Sequence, residues 1–235
     1  DSKLIMKKTK NNKKLIESID TDKVYEPVEA IKILKENSYT KFEEALEVAI
    51  NLGIDSSKTE QNIRGVLTLP KGTGKSINVA VVSKSEKHDE AKKAGADTVG
   101  ENDLIESISK GKIDFDLLIA TPDMMSSIGK IAKILGPKGL MPNPKLGTVT
   151  DDLKKAILDA KLGQVEIKND KDGNIGLSLG KKSFSDDKVI KNFTAVLDVL
   201  EREKSNQTIK GDLIKSAFLT STMGVSYKLK LPKSI

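Results

Sequence analysis

Gly136-Pro137-Lys138-Gly139-Leu140-Met141-Pro142-Asn143-Pro144-Lys145-Leu146-Gly147-Thr148-Val149-Thr150 is the stretch on which the reading of this chain turns. It holds three glycines, three prolines and two lysines. Each proline removes an amide donor and steers the preceding residue away from helix. The glycines allow turns that other residues resist. The stretch therefore predicts a stiff, irregular, exposed loop that presents Lys138 and Lys145 beside Leu140 and Met141, a contact surface rather than filler. A long connector between two helices is the plainer alternative.

Outward from the loop, the two sides differ in texture. Upstream, strands and helices alternate: strand 77–82, helix 86–94 ended by Gly95, a short strand at Thr98-Val99, helix 102–110 closed by Gly111, and strand 116–120. Thr121-Pro122-Asp123 predicts a hydroxyl cap with proline in the first turn of a helix carrying Met124, Ile128, Ile131 and Leu135. Downstream, Thr150 is expected to cap a helix over 151–161, with Asp151 and Asp152 in its first turn. This middle part reads as a three-layer α/β unit with a largely parallel sheet.

The two ends of the chain share another pattern. Pro27 opens a helix over 27–37, with Val28, Ile31 and Leu34 on one face. Leu46, Val48, Ile50 and Leu52 alternate with Glu47, Ala49 and Asn51, a half-buried strand ending at Gly53. Residues 63–69 form a second strand stopped by Pro70, and its closeness in sequence predicts an antiparallel pair with the first. Near the other end, 164–168 and 175–179 predict a hairpin about the Asn169–Asn174 turn. Helix 186–203 follows, with Val189, Ile190, Phe193, Val196, Leu197 and Leu200 on one face. Final strands at 213–220 and 225–231 flank Thr220-Ser221-Thr222-Met223-Gly224. The expected fold class is α/β (α+β). A discontinuous α+β sandwich domain, 1–70 and 161–235, holds a Rossmann-like three-layer α/β domain inserted at 71–160.

Composition excludes several chemistries. The 235 residues include no cysteine and one histidine, His88. That removes disulfides, thiolate chemistry and cysteine-ligated zinc, and disfavours a histidine metal site or a Ser-His-Asp triad. His88 stands among Glu86, Lys87, Asp89 and Glu90, as on a solvated helix. Lys71-Gly72-Thr73-Gly74-Lys75-Ser76 imitates a phosphate loop, but Leu69 stands where its first glycine belongs and a strand follows instead of a helix. Gly72-Thr73-Gly74 precedes its strand, so it fails the dinucleotide pattern as well. Asp170, Asp172 and Asn174 resemble part of a calcium loop without the closing glutamate. No metal or cofactor is expected, and no enzymatic constellation survives.

The formal charge is +6, which suits a polyanion, nucleic acid before membrane. Lys7, Lys8, Lys10, Lys13 and Lys14 make a basic opening, either a solvated tail or a phosphate-binding arm. The chain opens on Asp1, which reads as a processed or missing N-terminus, and shows neither a signal-peptide core nor an apolar run of spanning length. Lys41 and Phe42 set a cation beside a flat ring, although Phe42 read alone suits a core position. Thr220 to Gly224 offer hydroxyls and bare backbone, although read alone they suit a turn.

The loop closely resembles the signature of the ribosomal protein L-one family, the protein of the mobile stalk of the large ribosomal subunit. Lys41-Phe42-Glu43-Glu44, Asn51-Leu52-Gly53-Ile54-Asp55, Gln61-Asn62-Ile63-Arg64-Gly65, Ala94-Gly95-Ala96-Asp97, Ala120-Thr121-Pro122-Asp123 and Thr222-Met223-Gly224 resemble its other blocks, in the family's order and over nearly the whole chain. The resemblance implies a first domain that binds large-subunit ribosomal RNA at the stalk base through Lys41, Phe42, Glu47, Ser216, Thr222, Met223 and Gly224, with Thr40, Asp55 and Arg64 as second-line candidates. It implies a hinged second domain whose Lys138 and Lys145 meet RNA or the departing exit-site tRNA. It further implies a monomer within a cytoplasmic ribosome, with mitochondrial and plastid ribosomes as the other settings, and repression of the protein's own messenger through a structured leader. The lysine-rich opening, Ala217-Phe218 and lysines in place of arginines depart from the family's pattern; lysine lacks arginine's bidentate fork. A nucleotide-binding switch built on the α/β part and a generic RNA chaperone are the rival readings.

Overall fold

The computed structural model describes residues 10–17, 23–58, 61–206 and 212–231. Lys7 and Lys8 lie outside them, while Lys10, Lys13 and Lys14 fall in the first helix. The chain is mixed α/β. In order the elements are α1 (Lys10–Glu17), β1 (Val24–Tyr25), α2 (Pro27–Glu36), β2 (Ala45–Leu52), β3 (Arg64–Thr68), β4 (Val79–Val82), α3 (His88–Lys93), β5 (Thr98–Gly100), α4 (Asn102–Ser109), β6 (Leu117–Ala120), α5 (Met125–Gly129), α6 (Ala132–Leu135), α7 (Leu153–Lys161), β7 (Gln164–Lys168), β8 (Asn174–Lys181), α8 (Asp186–Asn206), β9 (Ile214–Ser221) and β10 (Tyr227–Leu229). Contacts divide them into two compact units, residues 1–64 with 167–235, and residues 65–166. The seam falls inside the paired strands β3 and β7, whereas the composition shift at Lys71 and the helix end before Gly163 place it at their far end.

The first unit is a five-stranded sheet in the order β1-β10-β9-β2-β8, with α2 and α8 packed on one face. Alternation in β2 explains it. Leu46, Val48, Ile50 and Leu52 are buried under the helices, while Glu47 and Ala49 point to solvent. Helix α8 buries Val189, Phe193, Val196, Leu197 and Leu200, and α2 buries Ala30, Ile31 and Leu34. Val28 instead stays exposed.

Two expected strand pairings do not form. Strand β2 is central, flanked on both edges by antiparallel β8 and β9, so it has no edge left for β3. Strands β3 and β7 pair with each other in a separate two-stranded sheet. The Asn169 amide donates to the Ile63 carbonyl at 3.2 Å and the Leu69 amide to the Gly163 carbonyl at 3.1 Å, so the two run antiparallel. The expected hairpin of β7 with β8 is therefore absent as well. The Asp170 carboxylate accepts from the amides of Asp172 (2.9 Å) and Asn174 (2.7 Å), and the tight turn passes the chain from one sheet to the other.

The second unit has a parallel sheet in the order β5-β4-β6. Ala80, Val82, Leu118 and Ala120 pack on Ile105, Ile108 and Ile128 on one face, and Val79, Val81 and Ile119 pack on Ala91, Leu153 and Ile157 on the other. Helix ends differ from expectation in two places. Thr121 makes no side-chain cap and its Oγ1 is buried without a partner; a 3-10 turn over Pro122–Met124 leads into two short helices, α5 and α6, instead of one. Asp152, not Thr150, caps α7: its carboxylate accepts from the Lys155 amide at 3.1 Å, while Thr150 Oγ1 accepts from the Asp152 amide one step earlier. No acidic residue then stands in the first turn of α7.

Candidate nucleic-acid interface

The segment between α2 and β2 and the turn between β9 and β10 are far apart in sequence and meet at one buried carboxylate. Glu44 is 1% exposed. Its Oε1 accepts from the Met223 amide at 3.0 Å and from Ser221 Oγ at 3.2 Å, and its Oε2 accepts from Ser38 Oγ. Burial is the largest single influence on its pKa and pushes it up. The donors from Ser38, Met223, Ser221 and Thr40 together outweigh burial and hold the carboxyl below its ordinary value. Further bonds close the seam. The Ala45 amide donates to Thr222 Oγ1 at 3.0 Å, the Thr222 amide to the Ala45 carbonyl at 3.2 Å, and Tyr39 Oη to the Met223 carbonyl at 3.2 Å.

This arrangement brings Thr40, Lys41, Phe42, Thr222, Met223 and Gly224 into one cluster. Phe42 is 55% exposed and Met223 48%, so neither is a core residue. Thr40 Oγ1 bonds the Phe42 carbonyl at 3.1 Å, which fixes the backbone under the ring. Gly224 is bare for a reason inside the protein: a Cβ there would collide with Ser221 Oγ, which Glu44 holds.

Glu47 and Ser216 lie on the open face of the same sheet. Glu47 stands opposite Thr220, and Ser216 opposite Asn51. Asp55 follows the far end of β2, away from Phe42; the Ser57 amide, the largest influence, lowers its pKa. Arg64 begins β3 and is exposed. Neither Asp55 nor Arg64 belongs to the Glu44 cluster.

In the second unit, Lys138 and Lys145 are exposed as expected. Leu140 and Met141 are not displayed beside them; both pack against the Ala80–Leu135 core, because an apolar side chain next to an unfilled core edge gains by covering it. The loop is pinned from within. Asn143 Oδ1 accepts from the Lys145 amide at 2.9 Å, and Thr148 Oγ1 accepts from the Asn143 amide at 2.8 Å. Lys75 of the phosphate-loop decoy is committed to Asp116 at 2.5 Å, and a strand follows it. His88 is half-buried, with Nε2 3.0 Å from the Ser83 carbonyl, rather than solvated. Among the described residues no cluster of three or more metal-ligating side chains occurs, and no helix is long and apolar enough to cross a membrane.

Sequence reasoning did not find Glu44, Ser38 or Tyr39, and it named Ser221 only as one of the hydroxyls of the turn, not as a partner of Glu44. One signal was available: Glu44 shares parity with Leu46, Val48, Ile50 and Leu52, so the alternation carries a carboxylate onto the inward face. A charge there needs donors.

A family model described as the ribosomal protein L1p/L10e family matches residues 34–225, an interval that contains both halves of the cluster. The chain belongs to that family. Its members are structural components of ribosomes, not enzymes. Large ribosomal subunit protein uL1 of Pelagibacter ubique is 56% identical over 202 residues, covering 86% of this chain and 88% of the relative. The protein of the same name from Rickettsia peacockii is 51% identical over 215 residues, covering 92% and 90%. That of Rickettsia bellii is 48% identical over 227 residues, covering 95% of each.

Proposed function

We propose that this chain is a structural protein of the large subunit of a bacterial-type cytoplasmic ribosome and grips ribosomal RNA at the mobile stalk through its first unit. The observation that carries this is the Glu44 seam. It sets a cation and an exposed ring (Lys41, Phe42) beside an exposed hydroxyl, an apolar side chain and open backbone (Thr222, Met223, Gly224). Phosphate contacts supply affinity, and hydroxyls and stacking on unpaired or minor-groove surfaces supply selectivity. In this reading residues 1–70 and 161–235 are a discontinuous RNA-binding domain, and 71–160 a Rossmann-like insert. The insert's Lys138 and Lys145 reach RNA or the exit-site tRNA and help the tRNA leave. The same grip would take a structured leader of the protein's own messenger.

The test is a titration of a stalk-base RNA fragment at rising salt. Log affinity falls linearly with log salt, by about 0.7 to 0.9 per phosphate neutralised. Met223→Ala and Thr222→Ala weaken binding further. Absence of binding at low salt overturns the proposal. Calorimetry with ATP and GTP checks the rival: tight binding lost in Lys75→Ala would favour a nucleotide switch.

A further inference from the structure

The face of the five-stranded sheet opposite α2 and α8 carries side chains that the Glu44 cluster does not use. Register arranges them in rows. Lys228 stands opposite Phe218, Phe218 opposite Ala49, and Ala49 opposite Gly176. The next row towards the Thr222 turn holds Thr220, Glu47 and Ser178, and the row on the other side holds Ser216, Asn51 and Asn174. Rows on one face are about 7 Å apart, two residues of strand.

Phe218 is half-buried on this face, between Ala217 and Leu219, which are both buried on the opposite face. The core therefore does not call for a ring here. A single partly exposed apolar residue is ordinary and proves nothing alone. Its neighbours distinguish this one. Ala49 and Gly176, next in its row, are too small to cover it. Lys228, opposite in register, is exposed, whereas Lys230 is tied to Glu26 at 2.5 Å. Ser216 and Thr220 place a hydroxyl two residues away on either side. A helix or an apolar peptide would need a continuous greasy surface, and the flanking rows are polar. A paired duplex offers no free base face. The chemistry that fits is flat, carries hydrogen-bonding edges and is anionic at one side. The face also continues directly into the Glu44 cluster, through Thr220 and Glu47.

We propose that Phe218 stacks one unpaired base of the bound RNA, with Lys228 beside it on the phosphate and Ser216 and Thr220 at the base edge and 2′-hydroxyl; the inference rests on the RNA-binding reading of the first unit. Stacking of this kind tolerates any base and is sensitive to loss of the ring.

The experiment uses the full chain and two RNAs: a stalk-base fragment with its unpaired nucleotides, and the same fragment with abasic sites at those positions. Phe218→Leu weakens binding to the intact RNA by about tenfold and leaves the abasic RNA unaffected, while Phe218→Tyr restores the affinity. With 2-aminopurine at the unpaired position, the native chain quenches its fluorescence and Phe218→Leu does not. Lys228→Gln lowers the salt slope on the intact RNA by about one phosphate, 0.7 to 0.9, which keeps the test open should the Leu variant unfold. Equal binding of native chain and Phe218→Leu to the intact RNA, with an unchanged slope for Lys228→Gln, overturns the platform and leaves the RNA-binding reading standing. Failure of the native chain to bind either RNA overturns both.

Discussion

Glu44 shows how one side chain sets a surface it does not join. Replacing it with glutamine keeps the shape but turns an amide nitrogen towards donors, Ser38 Oγ on one side or Ser221 Oγ and the Met223 amide on the other. Leaving a buried donor unmet costs about 1–3 kcal/mol, so Glu44→Gln lowers the urea midpoint at neutral pH. The carboxyl's folded pKa lies below the ordinary value. Its contribution is therefore complete above the unfolded pKa of about 4.3 and disappears as pH falls through the folded value. The gap between native chain and Glu44→Gln should narrow when unfolding is repeated at about pH 3 and persist at pH 7; a gap that ignores pH would remove the charge from this account. Gly224→Ala forces Ser221 Oγ off the carboxylate and should cost about 1–2 kcal/mol. In the double variant with Ser221→Ala the collision is gone, so the two losses should fall short of adding.

At the scale of elements, much of the chain was legible because burial writes itself into alternation. Strand β2 and helices α2 and α8 were predicted from parity and helical spacing alone, and their buried faces agree with the structure except at Val28 of α2 and at half-buried Ile190 of α8. Partners were harder, because nearness in sequence says nothing about which edges are already taken. That is why β3 was assigned to β2 and β8 to β7, when β2 uses both its edges on β8 and β9. Caps failed for a related reason. Thr150 and Asp152 are both acceptable caps, and two residues of register decide between them. Asp152→Ala should therefore destabilise the second unit by about 1 kcal/mol, and Thr150→Ala by less, as read from chemical denaturation. The reverse order would return the cap to Thr150. The candidate site was half legible: its exposed members are conspicuous residue types, whereas the role of Glu44 needed the turn after β9 in place before its donors could be seen.

The whole molecule is crossed twice by the chain at β3 and β7. At the first unit's side of that ribbon, Ile63 and Asn169 are already bonded, amide to carbonyl at 3.2 Å and amide to side chain at 2.8 Å. Removing 65–166 and joining Arg64 to Ile167 by a short glycine-serine linker asks little of the closure. The shortened chain should keep a cooperative unfolding transition and salt-dependent RNA binding, checked by circular dichroism and anisotropy. A folded product that no longer binds would move the grip into the removed unit.

Synthesis order gives the Glu44 seam a further consequence. The carboxylate leaves the ribosomal tunnel first, and its donors on Ser221 and Met223 follow 177 and 179 residues later. At ordinary elongation rates that delay is on the order of ten to forty seconds. During it the nascent chain lacks β9 and the turn after it, so the Glu44 carboxylate has neither its Ser221 nor its Met223 donor and the cluster cannot close. The cluster closes abruptly, once Met223 has emerged.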